Sequence, residues 1–133
     1  MSLTVAPALL DQARAGEVDE TAFLDTVAAS LPYAYELKAR LAADLPATTG
    51  FADNQIPPAT EAERGQLLRA LASDAIRGSL ERHFGVTLAF QNCHRVAVFR
   101  ARAGAGVAGM PAYQEFISPR SQLLNQSPEL RNC

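Results

Sequence analysis

Two stretches, Val86–Gln91 and Arg95–Arg100, are the segments of this 133-residue chain that read as β-strands. The first alternates apolar with smaller or polar residues, and the second is rich in Val with one Phe. A two-stranded ribbon is marginal by itself in water. Its faces must therefore be covered by helices or by strands of a second copy, so an α+β fold in an intertwined homodimer is expected. Asn92 suits a tight turn between the strands, whereas Cys93 in place of Gly does not, which leaves one long bent strand as the alternative to a hairpin.

The covering helices are legible upstream. The spacing predicts a first helix from a Thr4 cap to Ala15, with Pro7 in its first turn and Gly16 just past its end. Asp19 caps a second, with Glu20 in the first turn, where the helix dipole favours a carboxylate. Pro32 either kinks that helix or begins a third capped by Ser30, and Leu37, Leu41 and Leu45 then share one face. Residues 46–60 read as an irregular loop. Thr60 and Glu63 form a capping box, and Leu67, Leu71, Ile76, Leu80 and Phe84 carry one helix through to Gly85. Gly78 in its middle marks either close approach of another backbone or a ligand, or a glycine that is simply tolerated there. Residues 103–111 are a Gly-rich connector. Tyr113, Phe116, Ile117, Leu123 and Leu124 make the following tail too apolar to hang free, and it suits a crossing to a partner chain. The length is that of one domain: 1–85 mainly helical, 86–101 the β-ribbon, 102–133 the connector and tail.

Charge is uneven. Residues 1–85 hold twelve carboxylates against seven bases, whereas residues 86–133 hold five Arg against two Glu. The basic half is too sparse for a nucleic-acid face, and no apolar run is long enough for a membrane span. Cys93 and Cys133 do not make a disulfide framework and nothing at the start reads as a signal peptide, so the cytoplasm is the expected compartment.

Candidate chemistry is thin. Cys93 beside His94 pairs a thiol with an imidazole, but neighbours on a strand point to opposite faces. His83 and His94 are the only histidines and lack carboxylates at ligand spacing, so no metal is expected. Gly104-x-Gly106-x-x-Gly109 lacks the βαβ context of a phosphate loop, and no nucleotide or other cofactor is expected. Asp11, Asp25, Asp44 and Asp74 are on helices, with no spacing that forces a carboxylate pair to meet. A peptide-binding groove is the remaining pattern. Asp53, Asn54, Gln55, Asn92, His94 and Arg95 offer amides, a carboxylate, an imidazole and a guanidinium beside Phe90 and Phe99, a mixture suited to an extended peptide.

Three strings, Phe51-Ala-Asp-Asn-Gln55, Ser73-Asp-Ala-Ile-Arg-Gly-Ser-Leu-Glu-Arg-His-Phe-Gly85 and Phe90-Gln-Asn-Cys-His-Arg-Val-Ala-Val-Phe99, resemble the lysinoalanine synthases of the duramycin and cinnamycin lanthipeptide pathways. The resemblance spans residues 1–101. It implies a small homodimer holding a modified precursor peptide in a cleft, where a peptide lysine amine adds to a dehydroalanine. It implies no cofactor and no catalytic side chain of the protein, because the base is the peptide's own hydroxylated aspartate. The rival classes are a non-catalytic dimeric peptide-binding or adaptor protein, and an enzyme using Cys93.

Overall fold

The computed structural model describes residues 3–48, 50–91, 94–100 and 111–125. Its helical N-terminal part is joined to a small antiparallel sheet, an α+β fold. The helices are α1 (Pro7–Ala15), α2 (Glu20–Ser30), α3 (Pro32–Asp44), α4 (Glu61–Ala72), α5 (Asp74–Phe84), α6 (Pro111–Phe116) and α7 (Pro119–Leu124), and the strands are β1 (Phe51–Asp53), β2 (Val86–Gln91) and β3 (Arg95–Arg100). Among the described residues no helix is long and apolar enough to cross a membrane.

Local chemistry accounts for most element ends. Gly16 (φ 87°) and Gly85 (φ 65°) close α1 and α5 in the left-handed conformation that costs Gly little. Asp19 accepts from the Ala22 N–H at 3.1 Å. The Thr60–Glu63 capping box is present on both sides, with Thr60 Oγ1 accepting from Glu63 N–H at 3.1 Å and Glu63 Oε2 from Thr60 N–H at 3.1 Å. Pro32 does begin a third helix, but Leu31 stands at its cap position and Ser30 instead accepts from Thr4 N–H at 2.8 Å. α1 starts later than expected, at Pro7, with Ala6 at its cap position and no side-chain cap bond. The orphan N–H groups of Tyr33 and Ala34 donate to Gln66 Oε1, at 2.7 and 3.3 Å, which ties α3 to α4.

The helix expected over 60–84 is two helices. Ser73 leaves helical geometry (φ −92°, ψ 114°) and its Oγ accepts from Ile76 N–H at 3.3 Å, recapping the chain as α5. Continuous apolar spacing hid this break, although Ser-Asp is itself a cap signature. Among the described residues Gly78 faces no other backbone. A Cβ there would meet only the flexible end of Arg82, at 3.3 Å. Gly78→Ala is therefore expected to stabilise the fold by up to about 1 kcal/mol, readable as a higher urea midpoint at an unchanged slope; a lower midpoint would show that the packing there is tighter than this.

The sheet order is β1-β3-β2, antiparallel throughout. Phe51–Asp53, expected as loop, is an edge strand whose partners are Phe99, Val98 and Ala97. Three residues carry too weak a periodicity to announce a strand. The antiparallel register of β2 with β3 rules out one long bent strand. Gln91 pairs with Arg95, so the connection runs over 92–94 and His94 (φ 59°) belongs to the turn, not the strand. Asn92 and Cys93 lie outside the described residues, as does the Gly104–Gly109 string.

The sheet separates two packing layers. Val96, Val98, Leu88, Val86 and Ala52 face the helices and join Val27, Leu31, Leu67 and Leu80 in the main core. Ala97, Phe99 and Ala89 face the other way, where Phe116, Tyr113 and Ala112 of α6 cover them. Of the tail, α6 thus packs on the sheet of its own chain. Gln91 Nε2 donates to Phe116 O at 2.6 Å and to Ser121 Oγ at 2.7 Å, fastening it there.

Candidate functional site

The pairing register sets the geometry of the expected site. Residues opposite each other in an antiparallel pair share a face. Asp53, Arg95 and Phe99 therefore lie on the α6 side, and Phe90, opposite Val96, on the helical side. The two rings expected to serve one groove are on opposite faces. Phe99 is fully buried, stacked on Phe51 at 5.4 Å and edge-on to Tyr113 and Phe116 at 5.3 and 5.7 Å. Phe90 is partly exposed, with its ring 6.0 Å from that of His94.

Five of the eight expected residues do gather at one end of the sheet, where they bind one another. The guanidinium of Arg95 grips the Asp53 carboxylate, with Nε at 3.1 Å from Oδ2, and lies 5.4 Å over the Phe116 ring. Gln55 Nε2 donates to Asp53 Oδ1 at 2.8 Å. The buried Asn54 spans the hairpin end: its Nδ2 donates to His94 O at 2.9 Å and its Oδ1 accepts from Val96 N–H at 2.8 Å. Burial and the Arg64 charge hold the His94 imidazole below its ordinary pKa, favouring the neutral ring. The cluster is a staple between β1 and the β2–β3 turn. Asn92 is outside the described residues.

Two features escaped the sequence reading. The first is an apolar groove of about 470 Å³ between α1, α2 and α5, lined by Val5, Leu9, Leu10, Ala13, Val18, Phe23, Thr26 and Ala75. Arg82 and Glu20 close its lip as an ion pair at 2.9 Å, and Arg82 also donates to Ser79 Oγ at 3.2 Å. A shallower depression sharing Phe23 and Ala75 continues past Leu68 and Ile76. The sequence signal was Leu9-Leu10, since adjacent helical residues are about 100° apart and only one can face a core. Leu9 is buried and Leu10 is 42% exposed.

The second is Lys38, which is 1% exposed, with no acceptor for its Nζ among the described residues. Desolvation lowers its pKa from 10.5 to about 7. The stripe Ala34, Lys38, Leu41, Leu45, spaced i, i+4, i+7, i+11, passes through it. Of the helical carboxylates, Asp11 and Asp74 pair with Arg14 and Arg77, at 3.2 and 2.6 Å. Among the described residues no three His, Cys, Asp or Glu side chains gather to hold a metal ion.

Fold and site together define a small α+β protein with a polar staple at one end of its sheet and an open apolar groove on its helical side. A model of the family described as NucS shadow ORF matches residues 1–133, and the chain belongs to that family. No curated protein and no solved structure matches the chain.

Proposed function

We propose that the chain holds a peptide in the groove between α1, α2 and α5, and that the reaction to test on it is the closure of a lysinoalanine cross-link. The apolar groove with a charged lip is the observation that carries the reading, because such a channel takes thioether-bridged, largely apolar peptide surface. The three strings that resemble the lysinoalanine synthases supply the reaction. The peptide's lysine nitrogen bonds to the β-carbon of a dehydroalanine, whose double bond opens. The amine proton leaves to the peptide's hydroxylated aspartate, and the α-carbon takes up a proton. The protein's part is to bring the amine and the alkene together, and positioning of this kind accounts for several kcal/mol of a barrier. The cytoplasm, where the precursor peptide is made, is the compartment proposed.

Incubation with a dehydrated, thioether-cyclised, Asp-hydroxylated precursor, followed by thiol trapping and mass spectrometry, tests this. Closure leaves the mass unchanged but consumes the alkene, so thiol addition is expected to disappear only when protein and hydroxylated peptide are together. Tight binding with undiminished thiol addition would instead favour the non-catalytic peptide-binding class. Neither binding nor closure would sink both.

The family's description supports a second reading, in which the chain is read from a frame that shadows the one for NucS and is not made as a protein. Cells that make NucS would then contain no tryptic peptide of this chain, and detecting such peptides by mass spectrometry rejects it.

A further inference from the structure

The groove between α1, α2 and α5 is one lobe of a longer trough. The depression past Leu68 and Ile76 is the other, and the two share Phe23 and Ala75. Along α5 the first lobe runs from Ala75 to Arg82, and along α4 the second runs from Gly65 to Ala72, about 10 Å each at the helical rise. Leu10, Val18 and Leu68 border the trough and are 42, 49 and 53% exposed. Contiguous apolar surface of this kind marks an interaction site. The walls come mainly from helices and present side chains, not a strand edge. A partner chain that packs there must therefore satisfy its own backbone, which a helix does.

The two ends of the trough differ in charge. Glu17 and Asp19 flank Val18, are exposed, and make no ion pair among the described residues. The adjoining Glu20 and Arg82 neutralise each other, as do Asp11 with Arg14 and Asp74 with Arg77. Toward the far end Arg69 lines the second lobe, exposed and likewise without an ion pair among the described residues. Glu61 lies a turn beyond Gly65, outside the lining.

We propose that the trough binds an amphipathic helix of another protein, with a basic N-terminal turn against Glu17 and Asp19 and an acidic C-terminal turn against Arg69. The dipole of that helix acts in the same direction, its positive end toward the acidic rim. Its apolar face, at i, i+3, i+4 and i+7, fills the lobes on either side of Phe23 and Ala75. About 14 residues of helix reach from one end to the other. The inference needs the second lobe and no reaction, so it stands apart from the cross-linking reading, which uses the first lobe alone.

Two synthetic peptides of that length, blocked at both ends and with the same leucine spacing, test it by fluorescence anisotropy. One carries lysines in its first turn and glutamates in its last; the other carries the reverse. The reverse order is the one an isolated helix favours, so a preference for the first peptide comes from the protein. The first is expected to bind about tenfold tighter at low salt, with a gap that narrows as salt is added. Glu17→Lys combined with Arg69→Glu, both at exposed positions, is expected to abolish the gap. Leu68→Glu is expected to weaken the first peptide by about tenfold. Circular dichroism checks each fold; should Leu68→Glu fail to fold, the charge variant still decides. No binding of either peptide, equal affinity for the two, a gap unchanged in the charge variant, or undiminished binding to folded Leu68→Glu overturns the proposal. Precursor binding or closure alongside any of those outcomes leaves the cross-linking reading standing. The first peptide bound and the precursor ignored refutes that reading and leaves this one.

Discussion

Replacing Lys38 by methionine is expected to stabilise the fold by on the order of 3–5 kcal/mol at pH 7 and below, raising the Tm by roughly 10 °C or more. Methionine keeps an unbranched, flexible side chain, one atom shorter, and removes the amine. The amine titrates at about 7 when folded and at 10.5 when free of burial. Between those values the unfolded chain binds more protons than the folded one, so wild-type stability rises with pH across that window. Below about 7 both states are protonated and the full penalty of burying the cation applies. Above 10.5 both are neutral and the penalty is gone. The gain from Lys38→Met is therefore expected to be largest at or below neutrality and to shrink toward pH 10.5. Chemical denaturation of both proteins at several pH values measures it. A gain that does not shrink with pH would show that the amine is not the cause, and a loss of stability would show that Nζ has an acceptor in solution.

Asn54→Ala is expected to cost about 2–4 kcal/mol. The substitution removes the acceptor of the buried Val96 N–H and the donor to His94 O. A buried donor left without a partner carries its full desolvation penalty, about 1–3 kcal/mol, which exceeds the net worth of the bond itself. Because Asn54 ties the residue after β1 to both His94 and Val96, the loss should concentrate at that end of the sheet. Faster hydrogen exchange at Val96, with the Leu80 amide in α5 unaffected, is the expected pattern. An unchanged denaturation midpoint would show that the cluster is free to serve a ligand rather than to hold the strands.

That outcome bears on how far the site could be read in advance. Asp53, Asn54, Gln55, His94 and Arg95 do converge, as their adjacent polar and aromatic chemistry suggested. Their partners could not be foreseen. The ion pair of Asp53 with Arg95 spans 42 positions, and the bond from Asn54 to Val96 spans as many. Such contacts follow from β1 pairing with β3, and a three-residue strand leaves no periodic trace of that pairing. Phe90 and Phe99 share a strand pair but not a face, because the register places Phe90 opposite Val96 and Phe99 opposite Thr87.

Local signals were sufficient wherever a neighbour in sequence does the work. Gly16 and Gly85 past the ends of helices, Asp19 and the Thr60–Glu63 box at their starts, and the β-branched and aromatic residues of β2 and β3 all act within four residues or by a simple period. These determined the α+β class and the order of helices and ribbon. The tertiary structure alone decided what the elements meet. It placed Lys38 in the core without a partner among the described residues, because three helical neighbours on its stripe are apolar and burial of the stripe carries the amine with it. It also laid α6 on the sheet and left the groove beside α1 open. Both depend on the shape of surfaces brought together from distant parts of the chain, and no local spacing encodes that shape.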